Sequence, residues 1–308
     1  MTALEDALND YLTLRRAVGY KLGRPGQLLT QFVGYLDGAG VATVTIEHAV
    51  AWATQPVGAD PSWWAYRLDA VRGFALYLHT LDPAVPALPR DLLPYRSRRA
   101  TPYLYSDDEL AALFAAAGGL PHPLRADTCQ TMIALLAVTG IRIGEAISLD
   151  VDDLNSAHGL RVVREGKFGK TRQLPLHAST LAALAGYLER CQRRCPRPRS
   201  AALFLSGRGS RVRHCNISAT FHELTRAAGL APRSARCRPR LQDLRHTFAV
   251  RTVLDWYRAG VDVQARMPLL STYLGHVSPA ATYWYLSAAP ELLALAGQRL
   301  KQHLEDRS

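Results

Sequence analysis

Lysine and cysteine are scarce in this 308-residue chain, and long apolar runs are absent. Four lysines stand among 37 basic residues, so arginine carries nearly all of the positive charge. Five cysteines without regular spacing argue against a disulfide framework. Zinc binding by Cys191, Cys195, His214 and Cys215 is disfavoured, because their spacing fits no common zinc site.

The lack of an 18-residue apolar run predicts that no segment spans a membrane. The N-terminus has no basic start followed by an apolar stretch, so it does not resemble a signal peptide. A hydrophobic fraction of 48% and a charged fraction of 20% are typical of globular proteins. The chain is also long enough for two domains. We therefore expect a soluble protein of the cytoplasm.

The positive charge is unevenly distributed. The net charge is +11, of which residues 1–100 contribute +1, with ten basic and nine acidic residues. Residues 190–213 hold eight arginines and no acidic residue, and residues 226–240 hold five arginines and no acidic residue. This excess predicts a polyanionic partner bound by the second part of the chain, with binding that weakens as salt rises.

Helical periodicity predicts four helices in the first 83 residues, at about 3–18, 25–38 and 46–54 and from 61 onward. Thr45 and Asp60 are expected to cap the last two. Residues 84–102 contain four prolines and four arginines, which predicts a linker. Residues 103–308 form the expected second domain.

The second domain is predicted to be mainly helical with a small β-hairpin. Ser106 is expected to cap its first helix, at about 107–117. Further helices are expected at about 126–138, from Arg142 to 149, and at 179–194, 215–228, 242–259 and 290–304. Two short strands flank a turn at residues 166–169. The fold class is therefore α+β, with a helical bundle preceding a larger domain.

Two arginines lie in isolated motifs. Arg142 stands in TGIRIGE, where its guanidinium could hold a phosphate with two parallel hydrogen bonds. An ion pair with Glu145 on a helix surface is an equal alternative. Arg245 stands in LQDLRHTF at a predicted helix start, and a purely structural role is the alternative there.

A lysine, a histidine and a tyrosine complete the candidates. Lys167 at the hairpin tip could protonate a leaving oxygen, although it could also be an ordinary turn lysine, with Lys170 as its rival. His276 could donate a hydrogen bond to a phosphate or simply fill a core or cap position. Tyr285 is a candidate nucleophile, with Tyr283 as its neighbour and core packing as the alternative.

Together these motifs resemble the tyrosine recombinase, or phage integrase, family over roughly residues 3–305. TGIRIGEAISLDVDDL resembles the first arginine motif, GKFGKTRQLPL the lysine hairpin and LQDLRHTFA the second arginine motif. LGHVSPAATYWY resembles the last motif, with Thr282 inside it. A nine-residue step from His276 selects Tyr285 rather than Tyr283, and the N-terminal bundle resembles the core-binding domain of the family.

The resemblance implies a mechanism without a metal or cofactor. Tyr285 would attack a DNA phosphodiester and form a 3′-phosphotyrosyl link, while Lys167 protonates the departing 5′ oxygen. The resemblance also implies that both domains close on DNA as a clamp and that a homotetramer assembles on specific sites, with or without partner recombinases. The last helix, with Leu293 and Leu300 on one face, would dock on a neighbouring subunit or on its own domain.

One position departs from the family pattern. Gln242 stands three residues before Arg245, where the family usually has histidine. An amide can donate a hydrogen bond to a phosphate oxygen but cannot titrate near neutral pH. His246, directly after Arg245, is expected to be structural.

The overall sequence resembles recombinases of mobile elements more than it resembles those that resolve chromosome dimers. This resemblance implies integration or excision. A DNA-binding protein of this fold with impaired catalysis and a type IB topoisomerase-like enzyme are the alternatives. The expected catalytic residues are Tyr285, Arg142, Lys167, Arg245, His276 and Gln242. The candidate DNA-binding residues are Arg96, Arg98, Arg99, Lys170, Arg172, Arg211, Arg213, Arg238 and Arg240.

Overall fold

The computed structural model describes residues 2–93, 100–155, 160–163, 172–276, 278, 280–287 and 297, and for 155, 160–163, 280 and 285–287 it describes the backbone only. Apart from residue 297, the predicted helix at 290–304 lies outside the described residues. Five candidate residues also lie outside them: Arg96, Arg98, Arg99, Lys167 and Lys170. The chain divides into two compact units, residues 1–99 and 100–308.

The first unit is a bundle of four helices, as predicted. They are α1 (Ala3–Ala17), α2 (Gly23–Gly38), α3 (Ile46–Thr54) and α4 (Pro61–Leu81). The predicted caps are confirmed: the Thr45 side chain accepts from the amide of His48, and Asp60 accepts from the amide of Ser62. Each cap satisfies an amide that has no partner inside its helix.

Leucine and aromatic side chains fill the core of this bundle. Phe32 and Phe74 are fully buried, and the ring of Phe32 packs 5.2 Å from the ring of Trp52. Val85 and Leu88 are buried in the same cluster. The first half of the segment expected as a linker therefore contributes apolar side chains to the bundle.

The second unit combines eight described α-helices and a 3₁₀ helix, Val151–Asp153, with a three-stranded antiparallel sheet. The helices are α5 (Asp107–Gly118), α6 (Pro123–Thr139), α7 (Ile143–Ser148), α8 (Ala178–Arg194), α9 (His214–Ala227), α10 (Asp243–Arg258), α11 (Val263–Leu274) and α12 (Ala280–Ser287). The strands are β1 (Leu154–Asn155), β2 (Leu160–Val163) and β3 (Arg172–Pro175), in the order β1-β2-β3. The predicted hairpin corresponds to β2 and β3, with Val163 opposite Arg172.

The sequence prediction omitted α11, α12 and the short β1. Pro268 lies inside α11, where proline removes a hydrogen bond and normally breaks a helix. Met267, Leu270 and Leu274 compensate by packing with α10 in one apolar cluster. Tertiary burial therefore overrides the local signal and brings the end of α11 to the start of α10.

Candidate active site

Two arginines converge on the turn that follows α11. Arg142 immediately precedes α7, and its Nη2 donates to the carbonyl of Gly275 at 2.8 Å. Arg245, in the first turn of α10, donates from Nη2 to the carbonyl of Leu274 at 2.6 Å. Its Nη1 donates to the carbonyl of Gly140 at 2.6 Å. Both predicted arginines therefore belong to one cluster, at the ends of four helices.

Two glycines make this close approach possible. Gly140 ends α6 with φ +60°, and a Cβ there would lie 2.6 Å from Cδ1 of Phe248. Gly275 ends α11 with φ +65°, and a Cβ there would lie 2.7 Å from Nη1 of Arg172. A larger residue would be strained in φ and would also collide with its neighbour. The sequence showed both glycines within the motifs but gave them no role.

His276 joins the cluster through both ring nitrogens. Its Nε2 lies 2.9 Å from Nη2 of Arg245, and its Nδ1 lies 2.6 Å from Oγ1 of Thr282. Because a guanidinium can only donate, Nε2 must accept and Nδ1 must carry the proton toward Thr282. Burial, and then the charges of Arg245 and Arg142, lower the pKa of His276 to about 4. The imidazole is therefore neutral at physiological pH.

The helix that contains the predicted nucleophile packs against this cluster. Thr282 of α12 is 1% exposed and bonds His276, while α12 contacts α10 and α11. The ring of Trp284 meets the ring of His246 edge-on, with centroids 5.2 Å apart. Tyr285 follows within α12, and its side chain lies outside the described part of the structure. Tyr283 is 44% exposed.

Glu145 is the acidic centre of the cluster. The predicted pair with Arg142 forms at 2.8 Å, but Glu145 is buried rather than on a helix surface. Its carboxylate also receives Nη1 and Nη2 of Arg172, at 2.8 and 2.9 Å. Burial would raise the pKa of Glu145, but the hydrogen bonds and charge of Arg172, followed by those of Arg142, lower it to about 2. Glu145 is therefore ionised, and the sequence had not predicted its burial or its second partner.

Three candidate DNA-binding arginines have internal partners. Arg172 bonds Glu145, Arg211 bonds the carbonyls of Ile147 and Leu149, and Arg240 forms two 2.9 Å bonds with buried Asp243. DNA contact by these three side chains stays a prediction, and any such contact would have to compete with these bonds.

The other described candidates face solvent. Arg213 and Arg238 are exposed. Gln242 is also exposed, and it occupies the N-cap position of α10 without a side-chain capping bond. It lies three residues before Arg245, so the amide is one helical turn from the cluster.

The arrangement favours binding of a small oxyanion. Three guanidinium groups, one carboxylate and one neutral imidazole leave the cluster with a net charge of about +2. Paired N–H donors of arginine match the geometry of phosphate oxygens.

Within the described ranges, no group of three or more His, Cys, Asp or Glu side chains could hold a metal ion. Among the helices described, none combines the length and apolar character needed to cross a bilayer.

Comparison with known proteins identifies the family of the chain. A sequence model of the phage integrase family matches residues 104–291. The integrase/recombinase y4rB of Sinorhizobium fredii is 40% identical over 314 residues, covering 100% of both chains. The tyrosine recombinase XerC of Mycobacterium tuberculosis is 30% identical over 315 residues, covering 97% of this chain and 98% of its own. The chain belongs to the phage integrase family, and it is a tyrosine-type site-specific DNA recombinase.

Solved structures share the fold. The XerA recombinase superposes with a TM-score of 0.52 at 23% identity, over 97% of this chain and 98% of its own. The XerH recombinase bound to palindromic difH substrate gives 0.62 at 18% identity, over 90% and 78%. The Tn1549 transposon integrase in complex with transposon right end DNA gives 0.62 at 16% identity, over 98% and 100%. The α+β fold predicted from the sequence is confirmed.

Proposed function

We propose that this recombinase cuts and rejoins double-stranded DNA at specific sites through a 3′-phosphotyrosyl intermediate on Tyr285. The observation that carries the proposal is the convergence of Arg142, Arg245 and His276 beside α12, the helix that contains Tyr285. A phenol is a weak nucleophile while protonated, with a pKa of about 10. A positively charged phosphate site beside it is what this chemistry needs.

In the proposed step, the Tyr285 oxygen attacks phosphorus and loses its proton to solvent. The bond from phosphorus to the 5′ oxygen breaks, and Lys167 protonates that oxygen as general acid. Arg142 and Arg245 stabilise the charge that develops on the non-bridging oxygens. Attack by a 5′ hydroxyl reverses these steps, so strands rejoin without an external energy source.

His276 must change partners for this role. Its Nδ1 proton is directed to Thr282, and its Nε2 accepts from Arg245. A bound phosphodiester would bring negative charge beside the ring and raise the pKa of His276. The Nε2 atom could then carry a proton toward a phosphate oxygen, while Arg245 turns the same Nη2 to the phosphate.

We propose integration or excision of a mobile element as the biological reaction. One relative that is 40% identical over its whole length is named integrase/recombinase, and the Tn1549 integrase of the same fold is a transposon protein. Solved proteins of this fold include a λ integrase tetramer bound to a Holliday junction. By analogy, four copies of this chain would assemble on paired DNA sites, with the exposed arginines of residues 190–213 and 226–240 binding phosphates.

Sequencing of DNA that remains covalently attached to the protein after denaturation tests the proposal. Wild-type protein should retain fragments that share one sequence, with the protein joined to a 3′ phosphate at Tyr285. Tyr285→Phe should retain none, while the matched Tyr283→Phe should retain DNA like wild type. Equal recovery with Tyr285→Phe, or no recovery with wild type, would reject the phosphotyrosyl mechanism. Binding without covalent recovery would indicate the catalytically impaired alternative.

A further inference from the structure

Arg172 joins three parts of the catalytic unit. It is the first residue of β3, and its Nη1 and Nη2 hold Glu145 at the start of α7. Its Nε donates to the carbonyl of Tyr273 at 3.1 Å, in the last turn of α11. The side chain is 16% exposed, and its guanidinium packs under Gly275. One residue therefore connects the hairpin, the first arginine motif and the turn that leads to His276.

The carboxylate of Glu145 accepts two hydrogen bonds from each of two arginines. Oε1 accepts Nη1 of Arg142 and Nη1 of Arg172, both at 2.8 Å. Oε2 accepts the backbone amide of Arg142 at 3.0 Å and Nη2 of Arg172 at 2.9 Å. A buried carboxylate with one arginine would hold that arginine strongly, because it would have no other source of compensating charge. With Arg172 present, Arg142 supplies only part of the charge that compensates Glu145.

We propose that Arg172 is a positioning residue for strand cleavage. It neutralises Glu145, so that Arg142 can direct guanidinium N–H donors to the scissile phosphate. Arg172 itself makes no contact with the phosphate. This inference rests on the proposed phosphotyrosyl function, since it assigns Arg142 to the phosphate.

A double-substitution cycle tests the inference on a nicked duplex that carries the recovered site. Arg172→Met should lower the single-turnover rate of covalent product formation by about 10- to 100-fold, the range expected when hydrogen bonds to a charged group are lost. In a Glu145→Gln background, the same substitution should cost less than about 3-fold, because no carboxylate then remains to capture Arg142. Equal costs in both backgrounds would overturn the inference.

Salt dependence of DNA binding separates positioning from direct phosphate contact. Arg172→Met should leave the slope of log affinity against log salt unchanged. A direct contact would instead reduce that slope by about one, and this result would also overturn the inference. Arg125→Met is the matched control, because Arg125 bonds Thr220 and Glu223 away from the cluster and should retain wild-type cleavage.

Two further measurements keep the test decisive. Wild type and Tyr285→Phe are assayed alongside: an inactive wild type rejects the proposed function, whereas an active wild type with an equally active Arg172→Met rejects only the role of Arg172. Without DNA, inorganic phosphate is titrated while the His276 imidazole is followed by NMR. Phosphate should bind at least about 5-fold more weakly to Arg172→Met than to Arg125→Met, and equal binding would count against the inference.

If Arg172→Met fails to fold, the phosphate titration and the cleavage comparison are made with Glu145→Gln and with the double variant. Neither of these leaves an unpaired buried carboxylate. The inference requires that these two variants differ by less than about 3-fold in both measurements. A larger difference would show that Arg172 acts on the phosphate or the fold independently of Glu145.

Discussion

Nη2 of Arg245 lies 2.9 Å from Nε2 of His276, and in this pair only the guanidinium can donate. The bond fixes the proton of the imidazole on Nδ1, where Thr282 Oγ1 accepts it at 2.6 Å. The donors and acceptors of the proposed phosphate site therefore bond one another. A substrate phosphate must replace these internal bonds, which makes the geometry of Thr282 and of the α11 turn important for the reaction.

Thr282→Val should slow covalent product formation by about 10-fold, because the Nδ1 proton of His276 loses a buried acceptor. Valine has nearly the same shape, so α12 should keep its packing. The ¹⁵N shifts of His276 should still report the tautomer protonated at Nδ1, because Arg245 continues to donate to Nε2. Thr272→Val is the control, since the hydroxyl of Thr272 donates to the carbonyl of Pro268 on the exposed side of α11. Comparable losses in both variants would argue against a specific role for Thr282.

Gln242→Ala should lower the cleavage rate by about 10-fold with no change in melting temperature, because the exposed amide would bond only a bound phosphate. Gln242→His should keep the rate of wild type and add a dependence on pH near 6.5, the usual pKa of an exposed imidazole. Wild type has no titrating group at position 242, so an inflection from this position should appear only in the variant. Gln264→Ala, at an exposed position of α11, should behave as wild type.

Gly275→Ala should reduce both stability and cleavage. The new Cβ would lie 2.7 Å from Nη1 of Arg172 at a residue with φ +65°. Gly260→Ala is a matched control, with φ +72° and open space around the site of the new Cβ. Both variants have the φ strain of about 1 kcal/mol, so a cleavage defect confined to Gly275→Ala measures the displacement of Arg172. Equal cleavage rates would show that the turn tolerates the methyl group.

The sequence predicted much of this site because the motifs retain their local context. TGIR ends one helix and starts another, and the structure brings Arg142, Arg245 and His276 into one cluster. Periodicity also predicted the four N-terminal helices, since each buries one apolar face. The predicted roles of Lys167, Gln242 and Tyr285 stay predictions.

Contacts across long sequence separations could not be predicted. Glu145 and Arg172 are 27 residues apart, and nothing in the local sequence indicates that the carboxylate is buried and shared. The sequence predicts Arg172 as a DNA-binding residue, and the local sequence does not indicate that its guanidinium bonds Glu145. Because of Pro268, the sequence prediction also omitted α11. The apolar contacts that stabilise this helix come from α10.

Acid should destabilise the fold between pH 6.5 and 4. His276 and His246 have pKa values lowered to about 4, in both cases by burial first and by arginines second. The unfolded chain, with pKa values near 6.5, binds more protons in this window, so stability falls as pH falls. Each histidine contributes at most about 1.4 kcal/mol per pH unit. Glu145, with a pKa of about 2, extends the loss below pH ~4.3.

Urea unfolding at several pH values measures this effect. His276→Gln and His246→Gln should each flatten the dependence of the unfolding free energy on pH between 6.5 and 4. His122→Gln, at an exposed position before α6, should leave the slope unchanged. Slopes that are the same in all variants would show that the two partly buried histidines do not titrate differently in the folded and unfolded states.

The Trp284 side chain should determine how accurately α12 positions Tyr285, the next residue. Its ring contacts His246 and packs against the apolar cluster of α10 and α11, directly before Tyr285. Trp284→Ala would remove this contact and loosen α12, so the cleavage rate should fall by about 100-fold, while DNA affinity changes less than about 3-fold. The rate should depend so strongly on this contact because small displacements of a reacting group are costly.

Two substitutions distinguish this role from a general loss of stability. Trp284→Phe retains an aromatic edge for His246 and should recover most of the rate, whereas Tyr283→Ala removes an exposed ring on the same helix and should leave it unchanged. Parallel losses of DNA affinity and cleavage in Trp284→Ala would contradict a positioning role. A selective loss of cleavage would instead show that the His246 contact connects the second arginine motif to the helix of the nucleophile.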